Sequence, residues 1–263
     1  MKSPEKIVDH IVEWLNKYAE DSAMKGFVVG VSGGIDSAVT STLCALTGKP
    51  VLCLEMPIHQ NKDQVNRALD HIKWLEEKFS NVSHHTVPLT SVFQEFKTTV
   101  PSVENSDQQL LSLANTRARI RMTTLYYFAA LHGYLVAGTG NKVEDFGVGF
   151  YTKYGDGGVD LSPIADLLKT QVYSLAKHLE IIDSIQKAAP TDGLWSDDRT
   201  DEDQLGVSYE ILEWAMLAEK EGRDEKTFSE KELLAFKNYK KFNHQNKHKM
   251  EPIPVCEIPS HLF

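Results

Sequence analysis

The sequence contains little cysteine, and the few cysteines exclude two classes of protein. Its 263 residues include only Cys44, Cys53 and Cys256. Three scattered cysteines provide neither the dense disulfide framework of a small secreted domain nor the paired spacing of a structural zinc site. We therefore expect a cytoplasmic protein with reduced thiols, whose stability comes from an apolar core.

Long hydrophobic runs are also missing. No apolar stretch approaches the roughly 18 residues that a membrane-spanning helix needs. Near the N-terminus, residues 6–20 alternate charged and apolar side chains at helical spacing, whereas a signal peptide has a continuous apolar region. The sequence therefore predicts a protein that has no membrane partner.

Positive charge is the third scarcity. Lys and Arg total 28 against 37 Asp and Glu, which gives a net charge of −9. Proteins that bind nucleic acid across a broad surface need a basic surface, so the sequence disfavours a nucleic-acid partner. The hydrophobic fraction of 41% is ordinary for a globular protein, and the length suits a single domain formed by residues 1–263.

Apolar stretches of strand length alternate with stretches of helical periodicity in the first half of the chain. An amphipathic helix is predicted first, at residues 4–20. The predicted strands are residues 27–31, 51–56, 82–89 and 134–137, and the helices between them are residues 38–48, 61–79 and 107–131. This alternation predicts an α/β fold, a doubly wound and mostly parallel sheet with helices on both faces.

The second half of the chain is less regular. Residues 145–160 combine several glycines with aromatic and charged side chains, which predicts a binding loop. The acidic segment 190–206 predicts a mobile loop, and the tail 252–263 is predicted to be extended. Helical periodicity returns in three stretches, residues 163–180, 207–220 and 228–242.

The first predicted strand leads directly into Ser32-Gly33-Gly34-Ile35-Asp36-Ser37, and a predicted helix follows. Such a turn directs backbone N–H groups and the positive end of a helix dipole at one point, which suits a phosphate. A carboxylate at Asp36 suits a magnesium ion bound to phosphate oxygens. An ordinary glycine turn is the alternative. The whole string resembles the PP-loop of the N-type ATP pyrophosphatases, which split ATP into AMP and pyrophosphate.

Two further motifs lie where a ligand would bind. Gly138-Thr139-Gly140-Asn141-Lys142-Val143-Glu144 follows the fourth predicted strand, and the carboxyl ends of parallel strands share one edge of a sheet. We therefore expect Glu144 near Asp36, the alternative being a surface glutamate. In Tyr154-Gly155-Asp156-Gly157-Gly158, the glycines allow the backbone to approach a ligand closely. The alternative there is a solvated turn.

These three motifs together resemble the ammonia-using NAD synthetases. Residues 118–122 and 161–172 extend the resemblance, which covers nearly the whole chain. It implies an adenine-nucleotide alpha hydrolase-like fold and a homodimer that binds deamido-NAD across its interface. It also implies a two-step reaction, in which the deamido-NAD carboxylate is adenylated by ATP and ammonia then displaces AMP.

The resemblance implies a role for each matching residue. Asp36 and Glu144 would bind Mg²⁺, Asp156 would hold ammonium, and Asp156 and Lys169 would be catalytic. The implied deamido-NAD-binding residues are Arg119, Lys153, Asp160, His248 and Lys249. The implied ATP-binding residues are Gly30, Val31, Ser32, Gly33, Gly34, Ile35, Asp36, Ser37, Thr139, Lys169 and Thr191.

Two alternatives stay open. Another PP-loop ATP pyrophosphatase, such as a GMP synthetase-like or tRNA-modifying enzyme, would share the first motif but not the motif around Asp156. A non-catalytic module that binds adenine nucleotides would need neither Glu144 nor Asp156. The glutamine-dependent relatives carry an additional nitrilase-type domain with a nucleophilic cysteine. Because we find no such domain in this chain, we expect free ammonia, or a separate ammonia donor, as the nitrogen source.

Overall fold

Four short strands form one parallel sheet at the centre of the computed structural model, which describes residues 3–101, 107–189 and 201–263. Along the sheet the strands lie in the order β3-β2-β1-β4. Every pairing between them is parallel. The strands are β1 Gly26–Gly30, β2 Val51–Glu55, β3 Val82–Thr86 and β4 Tyr134–Val136. The predicted fold class is therefore confirmed.

Helices cover both faces of this sheet, because alternate side chains of the strands point to opposite faces. On one face, Phe27 and Val29 of β1 pack against α1 (Pro4–Asp21), α2 (Ile35–Leu46), α3 (Lys62–Lys78), α6 (Lys169–His178) and α7 (Asp183–Gln186). On the other face, Val28 of β1 packs against α4 (Thr90–Thr99) and α5 (Asp107–His132).

A third apolar cluster lies beyond the sheet. It joins α8 (Asp201–Leu205), α9 (Tyr209–Lys220) and α10 (Glu230–Met250) to a π-helical turn at Val143–Val148. Tyr209, Leu212 and Phe236 are buried there. The C-terminal third of the chain is thus attached directly to the segment that follows β4.

The strand order places β1 and β4 side by side, with β2 and β3 on the far side of β1. From β1 the chain therefore builds the sheet first to one side, through β2 and β3, and then to the other side with β4, so the strand order reverses between β1 and β4. In open parallel sheets a ligand binds in the crevice at such a reversal, outside the carboxyl ends of the strands. Both predicted glycine turns lie at this crevice.

Three predicted elements have different bounds in the structure. The helix predicted at residues 163–180 begins only at Lys169, because the backbone of Leu168 is extended, with ψ 156°. The carbonyl of Leu167 accepts a hydrogen bond from the backbone of Lys142 instead. The irregular loop predicted at 145–160 starts within the π-helical turn, whose first amides bond to the side chain of Asn141. The final helix extends to Met250, eight residues past its predicted end at residue 242.

Other differences concern the margins of the fold. Helix α4 was not predicted, since its apolar side chains are few and Phe93 is the buried one. Residues 190–200 of the predicted mobile loop, with Thr191, lie outside the described residues, and the rest of that loop contains α8. The tail is exposed, and only its end, Ser260–Leu262, forms a short 3₁₀ turn. Within the described ranges, none of the helices combines the length and apolarity needed to cross a membrane.

Gly33 provides a test of how the PP-loop is held. Its φ is +81°, and a Cβ atom there would lie 2.5 Å from the backbone oxygen of Gln64 in α3. Gly48 also has a positive φ, +74°, but a Cβ there meets nothing within 4 Å. We expect Gly48→Ala to cost about 1–2 kcal/mol for the left-handed backbone alone. Gly33→Ala should cost a further 1–3 kcal/mol or so, because the added methyl group overpacks the contact with α3.

Denaturant unfolding of the two variants measures this difference. Equal losses of unfolding free energy would mean that α3 moves to accommodate the added methyl group, and that the PP-loop is not held against α3.

Candidate active site

The PP-loop is braced by its own serines. Ser37 Oγ donates to the carbonyl of Gly34 at 3.0 Å and accepts from the backbone N of Ser32 at 3.2 Å. The two hydroxyl oxygens of Ser32 and Ser37 lie 3.1 Å apart. Because these bonds close the turn on itself at the start of α2, the anion-binding shape is present without a ligand.

A cavity of about 260 Å³ opens at the crevice between β1 and β4. The PP-loop forms one wall, and Thr139 of the second glycine turn forms another. Predicted site residues that line the cavity are Gly30, Val31, Ser32, Gly34, Ile35, Asp36, Ser37, Thr139, Glu144, Asp156 and Lys169. The structure therefore brings nearly all of the predicted ATP, magnesium and catalytic residues to one place.

Lys169 joins the two carboxylates at the floor of this cavity. Its Nζ lies 2.6 Å from Asp36 Oδ2 and 2.9 Å from Glu144 Oε1. The Lys169 side chain is 4% exposed, and the carboxylate side chains are 17% and 16% exposed. Two negative groups and one positive group thus share a site that is largely shielded from water.

Two neutral side chains complete this network. Asn141 Nδ2 donates to Asp36 Oδ1 at 3.1 Å, while Asn141 Oδ1 accepts from the backbone N of Glu144 at 3.2 Å. Tyr209 OH donates to Glu144 Oε1 at 2.6 Å. Each carboxylate therefore has a neutral donor as well as the shared ammonium group.

Burial and charge oppose each other in this network. Burial raises the pKa of Asp36, and the attraction of Lys169 only partly offsets that effect. Burial acts on Glu144 in the same way, but Lys169 and the Tyr209 hydroxyl outweigh it, so its pKa is lowered. Burial alone would lower the pKa of Lys169, yet the two carboxylates raise it. Lys169 is therefore a permanent cation at neutral pH.

Two more carboxylates face the same cavity. Asp156 is accessible to solvent, and its Oδ1 accepts from the backbone N of Thr152 at 3.0 Å. Dense protein surroundings raise its pKa nonetheless. Asp145 lies against Gly140, where a Cβ atom would meet its carboxylate. Burial and the charges of Glu144 and Asp156 raise the pKa of Asp145 to about 8.

The predicted magnesium ligands fit a magnesium ion in their chemistry. Asp36 and Glu144 face one another with carboxylate oxygens, which are the donors that Mg²⁺ prefers. In this structure the ammonium group of Lys169 already bridges them. Among the described residues no group of three or more His, Cys, Asp or Glu side chains is placed to hold a metal ion. Further oxygen ligands would have to come from a bound phosphate or water.

Four of the predicted deamido-NAD residues cluster outside the cavity. Arg119 Nη2 donates to the carbonyl of Lys153 at 3.3 Å, and Lys153 Nζ donates to the carbonyl of His248 at 2.6 Å. Lys249 Nζ donates to the carbonyl of Tyr151, which lines the cavity, at 2.8 Å. The end of α10 is thus fastened to the loop that carries Asp156.

Asp160 lies apart from the other four. Its Oδ1 accepts from Tyr126 OH at 3.0 Å, and its Oδ2 accepts from the backbone N of Val136 at 2.8 Å. Both carboxylate oxygens therefore contribute to joining the binding loop to β4 and α5. Thr191, predicted for the ATP site, is outside the described residues.

The sequence argument missed three residues of the site, Asn141, Asp145 and Tyr209. Asn141 belongs to the predicted second motif and Asp145 directly follows it. Their position beside Glu144 in the sequence was therefore a signal that could have identified them. Tyr209 follows Glu144 by 65 positions, and no local pattern connects a helix in the C-terminal third to this cavity. Only the tertiary packing of α9 reveals it.

Comparison with known proteins agrees with this geometry. A sequence profile described as NAD synthase matches residues 7–253. The chain belongs to the NAD synthase family. The NH(3)-dependent NAD(+) synthetase of Syntrophomonas wolfei is 36% identical over 263 residues, which cover 99% of each protein. The family resemblance and its fold are thus confirmed.

Two solved structures have a fold similar to that of this chain. An NMN synthetase from Francisella tularensis has a TM-score of 0.85 at 32% identity and covers 98% of this chain and 100% of its own. An NH3-dependent NAD synthetase from Campylobacter jejuni, in complex with the nitrate ion, has a TM-score of 0.77 at 29% identity. That match covers 97% of this chain and 99% of the Campylobacter chain.

Lys169→Met tests the role of the shared cation in this NAD synthase fold. The substitution leaves Asp36 and Glu144 face to face without a positive partner, so we expect a loss of about 3–5 kcal/mol in unfolding free energy at pH 8. The pKa of both carboxyls should rise above its unfolded value, so the loss should shrink as the pH falls to 5 and the carboxyls are protonated.

Lys142→Met is the matched control. It breaks the exposed ion pair between Lys142 and Asp166, which are 37% and 96% exposed, and should cost less than about 1 kcal/mol at either pH. Denaturant unfolding at both pH values measures the two variants. A pH-independent loss in Lys169→Met would show that packing, and not charge, is what the lysine supplies.

Proposed function

We infer that the chain is an ammonia-dependent NAD⁺ synthetase, a ligase that forms a C–N bond. A carboxylate oxygen of deamido-NAD⁺ attacks the α-phosphorus of ATP, and pyrophosphate leaves. The nitrogen of ammonia then attacks the activated carbonyl, loses a proton and displaces AMP, giving NAD⁺. Adenylation of this kind needs positioning and neutralisation of charge more than a covalent protein nucleophile.

One observation carries this inference. Lys169 is held between Asp36 and Glu144 at the crevice where the PP-loop and the second glycine turn meet. A fixed ammonium group beside an anion-binding turn suits a departing pyrophosphate. Apart from Gly33, and from Thr191, which lies outside the described residues, the other predicted ATP-binding residues line the same cavity. ATP can therefore be placed with its phosphates on the PP-loop and beside Lys169.

Magnesium belongs to this proposal through Asp36 and Glu144. These two carboxylates would hold Mg²⁺, which would supply neutralisation of phosphate charge and polarisation of the phosphoryl oxygens. The pair fits this task because Glu144 is kept ionised by its neighbours and Asn141 orients Asp36. Lys169 would then pair with a phosphate oxygen as well as with the carboxylates.

Asp156 is proposed to receive the ammonium ion. It lines the same cavity as the PP-loop, and the backbone amide of Thr152 holds one of its oxygens. Neutral ammonia is the nucleophile, so a carboxylate that takes a proton from ammonium supplies the reactive form at the site. The dense protein surroundings raise the pKa of Asp156, which makes it a better proton acceptor than a free aspartate.

Deamido-NAD⁺ is proposed to lie along the rim formed by Arg119, Lys153, His248 and Lys249. Two lysines and an arginine suit its two phosphates, and the rim adjoins the loop that carries Asp156. Asp160 would contact the ligand while both of its carboxylate oxygens keep their hydrogen bonds to the Tyr126 hydroxyl and the backbone N of Val136.

A smaller acid is the second candidate substrate. The Francisella tularensis structure, which has the higher TM-score of the two solved structures above, is an NMN synthetase. An amidation that yields NMN starts from nicotinate mononucleotide, which has the same carboxylate but lacks the adenylate half. The chemistry around Lys169 and Asp156 serves either acid.

A four-component assay tests the function. Protein, ATP, Mg²⁺ and ammonium are mixed with deamido-NAD⁺ or with nicotinate mononucleotide, and the products are separated by chromatography. We expect NAD⁺, AMP and pyrophosphate in equal amounts from deamido-NAD⁺. A higher kcat/KM for the mononucleotide would assign the second candidate. Pyrophosphate without an amide product, or ATP binding without turnover, would contradict both.

Asp156→Asn tests the ammonia site. An asparagine cannot take a proton from ammonium, so we expect the amidation rate to fall about 100-fold or more while ATP binding persists. The residual rate should rise with pH in proportion to free ammonia, whereas the wild-type rate should level off once Asp156 is ionised. Asp166→Asn, at an exposed ion pair with Lys142, is the control and should behave as wild type. Full activity of Asp156→Asn across pH would disprove the role.

A homodimer is also proposed, with α4 and α5 as its interface. Large apolar side chains are exposed on these helices, and such a patch commonly marks a protein interface. They are Val92 and Phe96 of α4, Val100 directly after it, and Leu110, Leu111, Tyr127 and Leu131 of α5. Light scattering should give twice the mass of the chain, and Leu131→Glu should give a monomer. Val255→Glu in the exposed tail is the control. A wild-type monomer at micromolar concentration would contradict the proposal.

A further inference from the structure

Tyr209, the first residue of α9, reaches into the floor of the active site from the C-terminal third of the chain. It is 4% exposed, and its hydroxyl lies 2.6 Å from Glu144 Oε1. Lys169 Nζ lies 4.9 Å from the centroid of its ring. The side chain of Tyr209 thus contacts both Glu144 and Lys169.

This placement is held from several sides. The backbone N of Tyr209 donates to Glu202 Oε1 at 2.9 Å, which ties α9 to α8. One turn further along, Glu213 accepts from the backbone N and the hydroxyl of Thr170, at 2.9 and 2.7 Å. Thr170 is the neighbour of Lys169 at the start of α6. Helix α9 therefore contacts the beginning of α6 at two points, and Tyr209 has little freedom to move.

The single phenolic hydrogen can be assigned from the distances. Asp201 Oδ2 lies 3.2 Å from Tyr209 OH, whereas Glu144 Oε1 lies 2.6 Å from it. The phenolic hydrogen of Tyr209 is therefore donated to Glu144. Glu144 Oε1 then accepts from both the phenol and the ammonium group of Lys169. Hydrogen bonds to a charged acceptor are about twice as strong as bonds between neutral groups.

We propose that Tyr209 is a positioning residue of the active site, whose hydroxyl fixes the Glu144 carboxylate, and through it Lys169, in the arrangement that binds magnesium and ATP. The inference rests on the proposed function, since it assigns Glu144 and Lys169 to the nucleotide. Without the hydroxyl, Glu144 Oε1 loses the bond from Tyr209 and keeps the bond from Lys169, so the carboxylate can turn more freely about its terminal bond. Both groups then bind the nucleotide from a less ordered starting position.

Tyr209→Phe removes the hydroxyl and keeps the ring above Lys169. We expect a non-hydrolysable ATP analogue with Mg²⁺ to bind about tenfold more weakly, by titration calorimetry. In turnover, KM for ATP should rise by a similar factor, while KM for ammonia stays within twofold of wild type. A residue that served only the fold would not separate these two constants.

Tyr239→Phe is the matched control. Tyr239 is 8% exposed, lies on α10 in the same helical layer, and has another carboxylate, that of Glu219, near its hydroxyl. Its loss should lower the melting temperature at least as much as Tyr209→Phe and leave both KM values at wild-type levels.

The proposal is overturned if Tyr209→Phe binds the ATP analogue as tightly as Tyr239→Phe does, or if the constants for ATP and ammonia change together. Binding of the analogue is measured without turnover. A wild-type protein that forms no NAD⁺ would therefore refute the proposed function, while the ratio of analogue affinities would still decide the role of Tyr209.

Discussion

The structure depends on one buried ammonium group that two carboxylates share. Lys169 is almost fully enclosed, and such a lysine can stay charged only beside opposite charge. Asp36 and Glu144 supply that charge from different elements, one from the first turn of α2 and one from the π-helical turn after β4. The fold must therefore hold three separate segments together before the site exists.

The parallel sheet meets this requirement through its strand order. Because β1 and β4 are neighbours, the turns that follow them open into one crevice, and α6 brings Lys169 to the same point. The C-terminal helices then close the floor, where Tyr209 contacts Glu144. Electrostatics and topology are thus linked, because the strand order brings two carboxylates that would repel one another to the same side chain, the ammonium group of Lys169.

The sequence predicted the sheet and most of the cavity because the necessary signals are local. The PP-loop follows a buried strand directly, and Glu144 lies a few residues beyond the next glycine turn, so motif and element coincide. The pairing of Lys169 with both carboxylates was not predictable from spacing, as it joins residues 133 and 25 positions apart. Tyr209 was missed for the same reason, since α9 reaches the site only through tertiary packing.

At the rim proposed for deamido-NAD⁺, by contrast, the grouping of residues predicted from the motifs differs from the grouping in the structure. Motif matching assigned five residues to one ligand, but the structure groups four of them and places Asp160 against Tyr126 and the backbone of β4. A motif records which residues recur together and not which of them share a surface. The hydrogen bonds of each residue show which members of the motif share a surface and which do not.

A crystal structure with Mn²⁺ in place of Mg²⁺, a non-hydrolysable ATP analogue and deamido-NAD⁺ tests the central claim most directly. Anomalous scattering locates the metal without ambiguity. The account predicts a manganese peak contacted by both Asp36 and Glu144, with the triphosphate on the PP-loop and Lys169 beside it. Carboxylates that point away from each other, with no metal between them, would contradict it.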